Sequence, residues 1–473
     1  MKKTFYSLSL MLVLLFPGSV LAQTVTGYVK DNHGQPIAGV VISDGKNFTT
    51  TDSLGLYTLD SDPVRRPLVY LSTPACCELP SENGIASGFY QFLDAGREVN
   101  ECNFTLKRRQ KESDEFVFIP ISDPQVKIER HMDRFRAETV PDLRRTADSL
   151  SAYEVIGMGL GDLVWDAMDL YAPYKEAVSN LGLTMFQCIG NHDFNLKYCD
   201  LERSENAQNG YGEQNYFHMF GPSDYSFNVG KVHIITMKNI DYEGGKKYVE
   251  RFTSEQLEWL KKDLSYVPKG SLVFLNLHAP VANTTVEAGY NTRNANALFN
   301  ILRPYEVHIF SGHTHFYENS RPAPTIYEHN IGAACGAWWA GDVNRCGAPN
   351  GYLIVHVRGN ELRWRYKATG QGPDYQFRVY KPGTFETQSD YVVANVWDWD
   401  MSYVINWYED EVLRGAMQQF EDEDQSFIDM KKGKRTGYHT RHLFRARPSK
   451  NAKKVKIEVV NRFGEKFIQE VIL

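Results

Sequence analysis

The chain has 473 residues, 42% of them hydrophobic, and a formal net charge of −6. Such a length supplies sizeable cores for about three domains. The mild acidity argues against a dedicated nucleic-acid binder, although a local metal centre can outweigh it for a small phosphorylated substrate.

Residues 1–22 carry Lys2 and Lys3, an apolar core from Leu8 to Leu15, and Val20-Leu21-Ala22 before Gln23. This is the pattern of a secretory signal peptide, and it predicts export to the periplasm or beyond the cell. The core is too short to span a bilayer, no cysteine follows the cleavage site, and no later stretch is apolar for long enough to cross. The mature chain is expected to be exported and soluble, without a transmembrane segment. Disulfides are then permitted among the seven cysteines, the odd count leaves one over, and proximity alone favours Cys335 with Cys346.

Residues 23–106 alternate apolar and polar positions between turn signals, with strands expected at 25–29, 39–42, 56–59 and 68–71. A small β-sandwich fits this rhythm. The run Lys107-Arg108-Arg109-Gln110-Lys111 is a solvated boundary. Across 113–372 strands then alternate with helices, which defines an α/β domain. Strands are expected at 115–121, 155–160, 183–189, 232–237, 272–277 and 307–310. Residues 129–150 are largely helical with an interruption near Pro141. Thr253-Ser254-Glu255-Gln256 has the form of a capping box opening a helix whose Leu257, Leu260 and Leu264 share a face.

The apolar strands end in residues able to hold a metal: Asp123 and Gln125, Asp162, Gly190-Asn191-His192-Asp193, His278, and Gly312-His313-Thr314-His315. Each alone is an ordinary loop residue. Five in succession are not expected by chance, and α/β sheets collect their ligands at the carboxyl ends of strands. Oxygen and imidazole donors without thiolates suit Mn, Fe, Zn or a related divalent ion. Two carboxylates, an Asn carbonyl and three imidazoles are too many for one catalytic zinc and enough for two ions with one bridging carboxylate. Two such ions clamp a phosphate and generate hydroxide near neutral pH, so phosphate ester hydrolysis is the natural use.

This ordered set resembles the calcineurin-like metallophosphoesterase family, from about Phe116 to Tyr366. The resemblance implies a two-sheet α/β (α+β) sandwich flanked by helices. Carried over by position, Asp123 and His315 would hold the first metal, Asp162 would bridge, and Asn191, His278 and His313 would hold the second. His192 would contact phosphate or protonate the leaving oxygen, with Asp193 orienting it. Gln125 stands where the family usually has a histidine, and as a weaker carbonyl ligand it implies a loosely held first metal or a harder ion. His131 lies in the expected helix and reads as a surface or packing residue. Trp165 replaces the tyrosine of purple acid phosphatases, which disfavours that subgroup.

Gly27-Tyr28-Val29-Lys30-Asp31, Gly34-Gln35-Pro36 and Gly55-Leu56-Tyr57 resemble the carboxypeptidase-regulatory-like module of exported bacterial proteins, which implies a spacer. Residues 195–248 are a loop-rich insert, a lid or a surface loop, in which Lys246 and Lys247 are expected to be solvated. Of Trp338 and Trp339, one can stack at the pocket rim, although two core residues are the simpler expectation. A hairpin of 351–357 and 362–366 is expected to close the second sheet. Residues 380–473 return to β alternation and form a third, sandwich domain, and Trp397-Asp398-Trp399-Asp400 resembles the C-terminal module of secreted members. Glu421-Asp422-Glu423-Asp424 reads as a solvated turn rather than a calcium loop.

The expected function is a secreted phosphoesterase acting on phosphate mono- or diesters of a small, envelope-derived substrate. The rival is an inactive envelope scaffold that binds glycans, its activity lost through Gln125. Retention of every other ligand beside His192 and Asp193 favours the enzyme.

Overall fold

The computed structural model describes residues 23–111, 113–205, 207–284 and 291–473. The signal-peptide segment lies outside them. Among the described residues no helix is long and apolar enough to cross a membrane.

The N-terminal module is a pair of small sheets. The strand Gln23–Asp31 buries alternate residues and pairs antiparallel with Leu56–Ser61 and parallel with Phe104–Leu106. The second sheet runs Phe48–Thr50, Val41–Ser43, Leu68–Leu71 and Tyr90–Phe92. A short hairpin, Ser81–Glu82 with Ile85–Ala86, leaves the module and extends the neighbouring sheet through Ile85 against Met185. The two units therefore share one apolar core.

The central unit holds six ligand-bearing or core strands, β1 (Glu115–Ile121), β2 (Glu154–Leu160), β3 (Thr184–Cys188), β4 (Val232–Thr236), β5 (Leu272–Asn276) and β6 (Glu306–Ser311). β1, β2 and β3 are parallel neighbours in the first sheet, and β4, β5 and β6 in the second. Their near-total burial explains why the strands are apolar at nearly every position. Phe118, Phe274 and Phe310 meet between the sheets at ring separations of 5.1–5.3 Å.

Two sequence expectations change here and a third acquires its form. The hairpin Gly351–Arg358 with Glu361–Ala368 joins the first sheet, not the second, because Phe116 pairs with Val357. Alternation had shown which residues are buried but not their partner strand. The interruption expected near Pro141 takes the form of a wide π turn: Glu129–Arg134 passes through Phe135–Thr139 into Val140–Ser149. That turn accommodates the N–H that proline lacks. Cys335 and Cys346 are unbridged. The Cys335 thiol lies beside Gln125 and His315, whereas Cys346 Sγ accepts from Tyr317 N at 3.2 Å. The capping box of Thr253 and Gln256 is present as read.

The C-terminal unit has two four-stranded sheets around Val392, Val396, Ile405, Ile457 and Val459. Its acidic run, expected to be a solvated turn, is a further correction, since Asp422, Glu423 and Asp424 are buried. Asp424 caps the helix Gln425–Met430 and accepts from Tyr380 and Asn395, while Glu423 accepts from Thr436 N at 2.8 Å. The unit docks on the first sheet through Arg462, which pairs with Asp400 at 2.8 Å and lies 4.5 Å from the Trp364 ring.

Candidate metal centre

The ends of β1, β2, β3, β5 and β6 converge, and the turns that follow them are unusual. Asp123, Gln125, Asp162, His313 and His315 all have left-handed backbone, with φ between +45° and +70°. Each such position costs on the order of 1–3 kcal/mol in a residue other than glycine, and clusters of them mark built sites. Cross-turn hydrogen bonds hold them: Gln125 N donates to Asp162 O at 2.8 Å and His313 N to Asp123 Oδ2 at 2.9 Å. Gly190 and Gly312 are required by close approach. A Cβ at Gly190 would lie 2.2 Å from Asp162 N, and one at Gly312 would lie 1.6 Å from Ser122 Oγ.

His278 Nδ1 contacts the Leu160 carbonyl at 2.8 Å, which turns Nε2 into the site. Around that Nε2 lie Asn191 Oδ1 at 3.0 Å, His313 Nδ1 at 3.1 Å and Asp162 Oδ1 at 3.3 Å. These are the separations of neighbouring donors around one ion held at about 2.0–2.2 Å. Burial alone would lower the His278 pKa, but Asp162 and Asp123 pull it up to about 9, so the local field favours positive charge among these donors. Burial opposes ionisation of Asp162 as well, yet His278 and His192 hold its carboxyl well below the usual range. His313 Nε2 lies 3.6 Å from Glu250 Oε1, a carboxylate placed to orient the ring.

The donors expected for the first metal are fewer. Asp123 Oδ2 is engaged by His313 N and the Ser122 hydroxyl, whereas its buried Oδ1 has no hydrogen-bond partner among the described residues and lies 3.6 Å from His315 Nε2. An orphaned buried carboxylate oxygen fits a cation site, since it otherwise carries an uncompensated desolvation cost. His315 Nδ1 contacts the Gly336 carbonyl at 2.6 Å, and burial with the Arg345 charge pulls its pKa down to about 3. The ring is neutral, as a ligand must be. Burial pushes the neighbouring Cys335 thiol far above its ordinary value.

One sequence assignment gains a second role and another needs correction. Gln125, expected as a carbonyl ligand, uses its Nε2 to donate to Asp162 Oδ2 at 2.7 Å. It orients the carboxylate expected to bridge. Gln125→Ala is therefore expected to lower metal affinity or turnover about 10–100-fold, the usual cost of losing such a support, read by metal titration and initial rates. Asp193, in turn, does not face His192. It accepts from the backbone N–H groups of Gly190 at 2.8 Å, Leu163 at 3.0 Å and Val164 at 3.2 Å, and so ties the β2 and β3 turns together.

The partner of His192 is Asp166, whose Oδ1 lies 3.0 Å from His192 Nδ1. Sequence reading missed it, although it stands four residues after Asp162 in the same turn. Lys246, expected to be solvated, pairs with the other oxygen of Asp166 at 2.7 Å. It reaches there from the hairpin Ile240–Gly244 with Lys247–Glu250, part of the presumed loop insert. Burial disfavours a charged His192, but Asp162 and Asp166 outweigh it and hold its pKa above the ordinary value. At 21% side-chain exposure His192 is the accessible imidazole, against 0–4% for His278, His313 and His315. Trp165 packs on its ring at 5.1 Å. Trp339 is buried, with Nε1 donating to the Pro124 carbonyl, while Trp338 is partly exposed. A groove of about 820 Å³ lined by Arg145, Tyr153, His356 and Lys367 shares no residue with this centre.

If these donors hold ions in the folded state alone, chelation destabilises the protein. At free metal about 100-fold above the dissociation constant the loss is about 2.7 kcal/mol, or a fall in the melting midpoint of roughly 5–10 °C on adding EDTA. Calorimetry with Mn before and after chelation checks this, and an unmoved midpoint would count against the centre.

Comparison with known proteins gives the same direction. Residues 23–109 match the family model described as the N terminal of calcineurin-like phosphoesterase, 121–317 the calcineurin-like phosphoesterase model itself, and 328–467 its C terminal. Among solved structures, the chain is similar to a dimetal phosphatase from Danio rerio at 15% identity and TM-score 0.38, covering 54% of this chain and 96% of that one. It is also similar to a 5'-nucleotidase from Candida albicans at 14% identity and TM-score 0.31, covering 55% and 52%. No curated protein matches significantly. With three successive models spanning its length and a metal-fitting donor set at its strand ends, the chain belongs to the calcineurin-like phosphoesterase family, hydrolases of phosphoric esters that use divalent metal ions.

Proposed function

We propose that this protein is an exported phosphoesterase with a dinuclear centre, hydrolysing mono- or diesters of a small phosphorylated substrate. The observation that carries the reading is the convergence of Asp162, Asn191 and His313 at 3.0–3.3 Å around His278 Nε2, beside Asp123 Oδ1, which has no hydrogen-bond partner among the described residues. Two divalent ions held there would supply neutralisation of phosphate charge, polarisation of the phosphorus–oxygen bonds and a lowered pKa of water. Asp123 and His315 would hold one, and Asn191, His278 and His313 the other, with Asp162 between them and Gln125 fixing its orientation.

His192 completes the site from the accessible side. Asp166 engages Nδ1, which leaves Nε2 to contact a phosphate oxygen or to give a proton to the departing alkoxide. Lys246 neutralises the far side of Asp166. The apolar leader at 8–15 supports export. The contact from Gln125 to the Asp162 carboxylate supports the enzyme over the scaffold alternative, since it orients a donor of the proposed centre.

The test is turnover of para-nitrophenyl phosphate and bis-para-nitrophenyl phosphate by protein loaded with Mn, Zn, Fe or Ni. Metal-dependent hydrolysis supports the reading, and the preferred reagent separates monoester from diester chemistry. Protein that holds metal yet turns over neither reagent would overturn it.

A further inference from the structure

Two partly exposed indoles flank the centre, and both are built alike. Trp165 lies 5.1 Å from the His192 ring, with the Lys127 ammonium 4.5 Å from its own ring. Trp338 lies 4.9 Å from the His315 ring, with the Arg345 guanidinium at 4.6 Å and the Lys431 ammonium at 5.6 Å. Each end of the site is thus an imidazole, an indole and a cation in contact. Trp338 and Trp339 both adopt left-handed backbone, at φ +57° and +59°. Arg134 donating to the Trp339 carbonyl at 2.8 Å helps to hold that costly turn.

At the His315 end a cation comes from a different unit of the protein. Lys431 directly follows the helix Gln425–Met430 of the C-terminal sandwich. Phe427 of that helix forms a small core with Ala337 and Val343. Gly341 approaches so closely that a Cβ there would lie 2.5 Å from Met430 Sδ. The chain then reads Lys431-Lys432-Gly433-Lys434-Arg435. Arg435 pairs with Asp422, whereas Lys431, Lys432 and Lys434 enter no ion pair among the described residues. The adjacent exposed acid, Asp429, is held by the Gln425 amide at 2.9 Å. In a chain of net charge −6, Lys431 brings an ammonium against Trp338 at the edge of the centre, and the exposed Lys432 and Lys434 follow it in the same turn, so that three cations outnumber the one nearby acid of this segment, Asp429.

We propose that Lys431, Lys432 and Lys434 form an anion subsite at the rim of the active site. The preferred substrate is then a phosphoester that carries a second anionic group. This rests on the phosphoesterase reading above. Trp338, already covered by His315 and Arg345, serves as a wall between the centre and the lysines rather than as a stacking platform. Flexible, hydrated ammonium groups at an open rim suit a phosphate or carboxylate that stays partly in water.

The experiment compares phosphate release from glucose 6-phosphate and glucose 1,6-bisphosphate by the full chain, with para-nitrophenyl phosphate as reference. Wild type should favour the bisphosphate in kcat/KM by about tenfold, the size of one well-placed charged contact. A variant with Lys431→Ala, Lys432→Ala and Lys434→Ala should bring that ratio near one, mainly through KM, while arginine at all three positions keeps it. Raised salt should shrink the wild-type ratio. A wild-type ratio near one, a ratio that survives the alanine variant, or hydrolysis of the aryl ester with neither sugar phosphate would overturn the subsite. So would an equal fall on both sugars accompanied by loss of bound metal, the mark of a structural role. Failure on all three compounds would instead overturn the phosphoesterase reading and the subsite with it.

Discussion

Asp162→Asn is expected to lower kcat by about a thousandfold, the upper end of what removing one preorganised electrostatic group costs. The carboxylate is 1% exposed and receives Gln125 Nε2 at 2.7 Å and His192 N at 2.8 Å while facing His278 Nε2 at 3.3 Å. Asparagine keeps the shape but removes the negative charge. It also turns either its carbonyl or its NH₂ toward the Gln125 amide, so one arrangement loses the donor set and the other opposes two NH₂ groups. Metal content by elemental analysis should fall with turnover, while near-ultraviolet circular dichroism should show an intact fold. A variant within tenfold of wild type would remove Asp162 from the proposed centre.

The second large effect separates two aspartates that stand close together. Asp193→Ala leaves the N–H groups of Gly190, Leu163 and Val164 without their acceptor in a fully buried turn. At about 1–3 kcal/mol for each stranded donor, partly relieved by relaxation, the loss is roughly 3–5 kcal/mol in unfolding free energy. Asp166→Ala should do the opposite. Its pair with Lys246 joins a 59% exposed ammonium and adds little stability, but the hydrogen bond to His192 fixes which imidazole nitrogen faces the substrate. Turnover should drop about 10–100-fold with the melting midpoint and metal content almost unmoved. Chemical denaturation and initial rates on both variants decide the matter, and equal behaviour of the two would refute the division of roles.

The donor set was legible because of a constraint on position. A ligand must sit where a buried strand stops, so an apolar run followed by Asp, Asn or His announces itself, and it did so five times along the chain. The capping box at Thr253 was legible for a similar reason, being a contact between residues three apart.

What remained hidden depends on direction rather than position. Asp166 and Asp193 both follow a ligand within a few residues, and only the left-handed turns at Asp162 and Asp166 decide that one carboxylate meets His192 while the other turns back to the β2 and β3 backbone. Gln125 presents its amide nitrogen to Asp162 for the same kind of reason. Strand alternation foretold burial of 351–357, yet its partner, β1, is set by packing across distant segments. The acidic run at 421–424 was misjudged because charge suggests solvent, while Thr436 N, Tyr380 and Asn395 arrive from elsewhere to satisfy it. Sequence by itself determined which residues stand at the strand ends and hence the chemistry they can support. The tertiary structure alone decided which side chains face one another, because side-chain direction follows from backbone dihedrals and long-range contacts that local spacing does not encode.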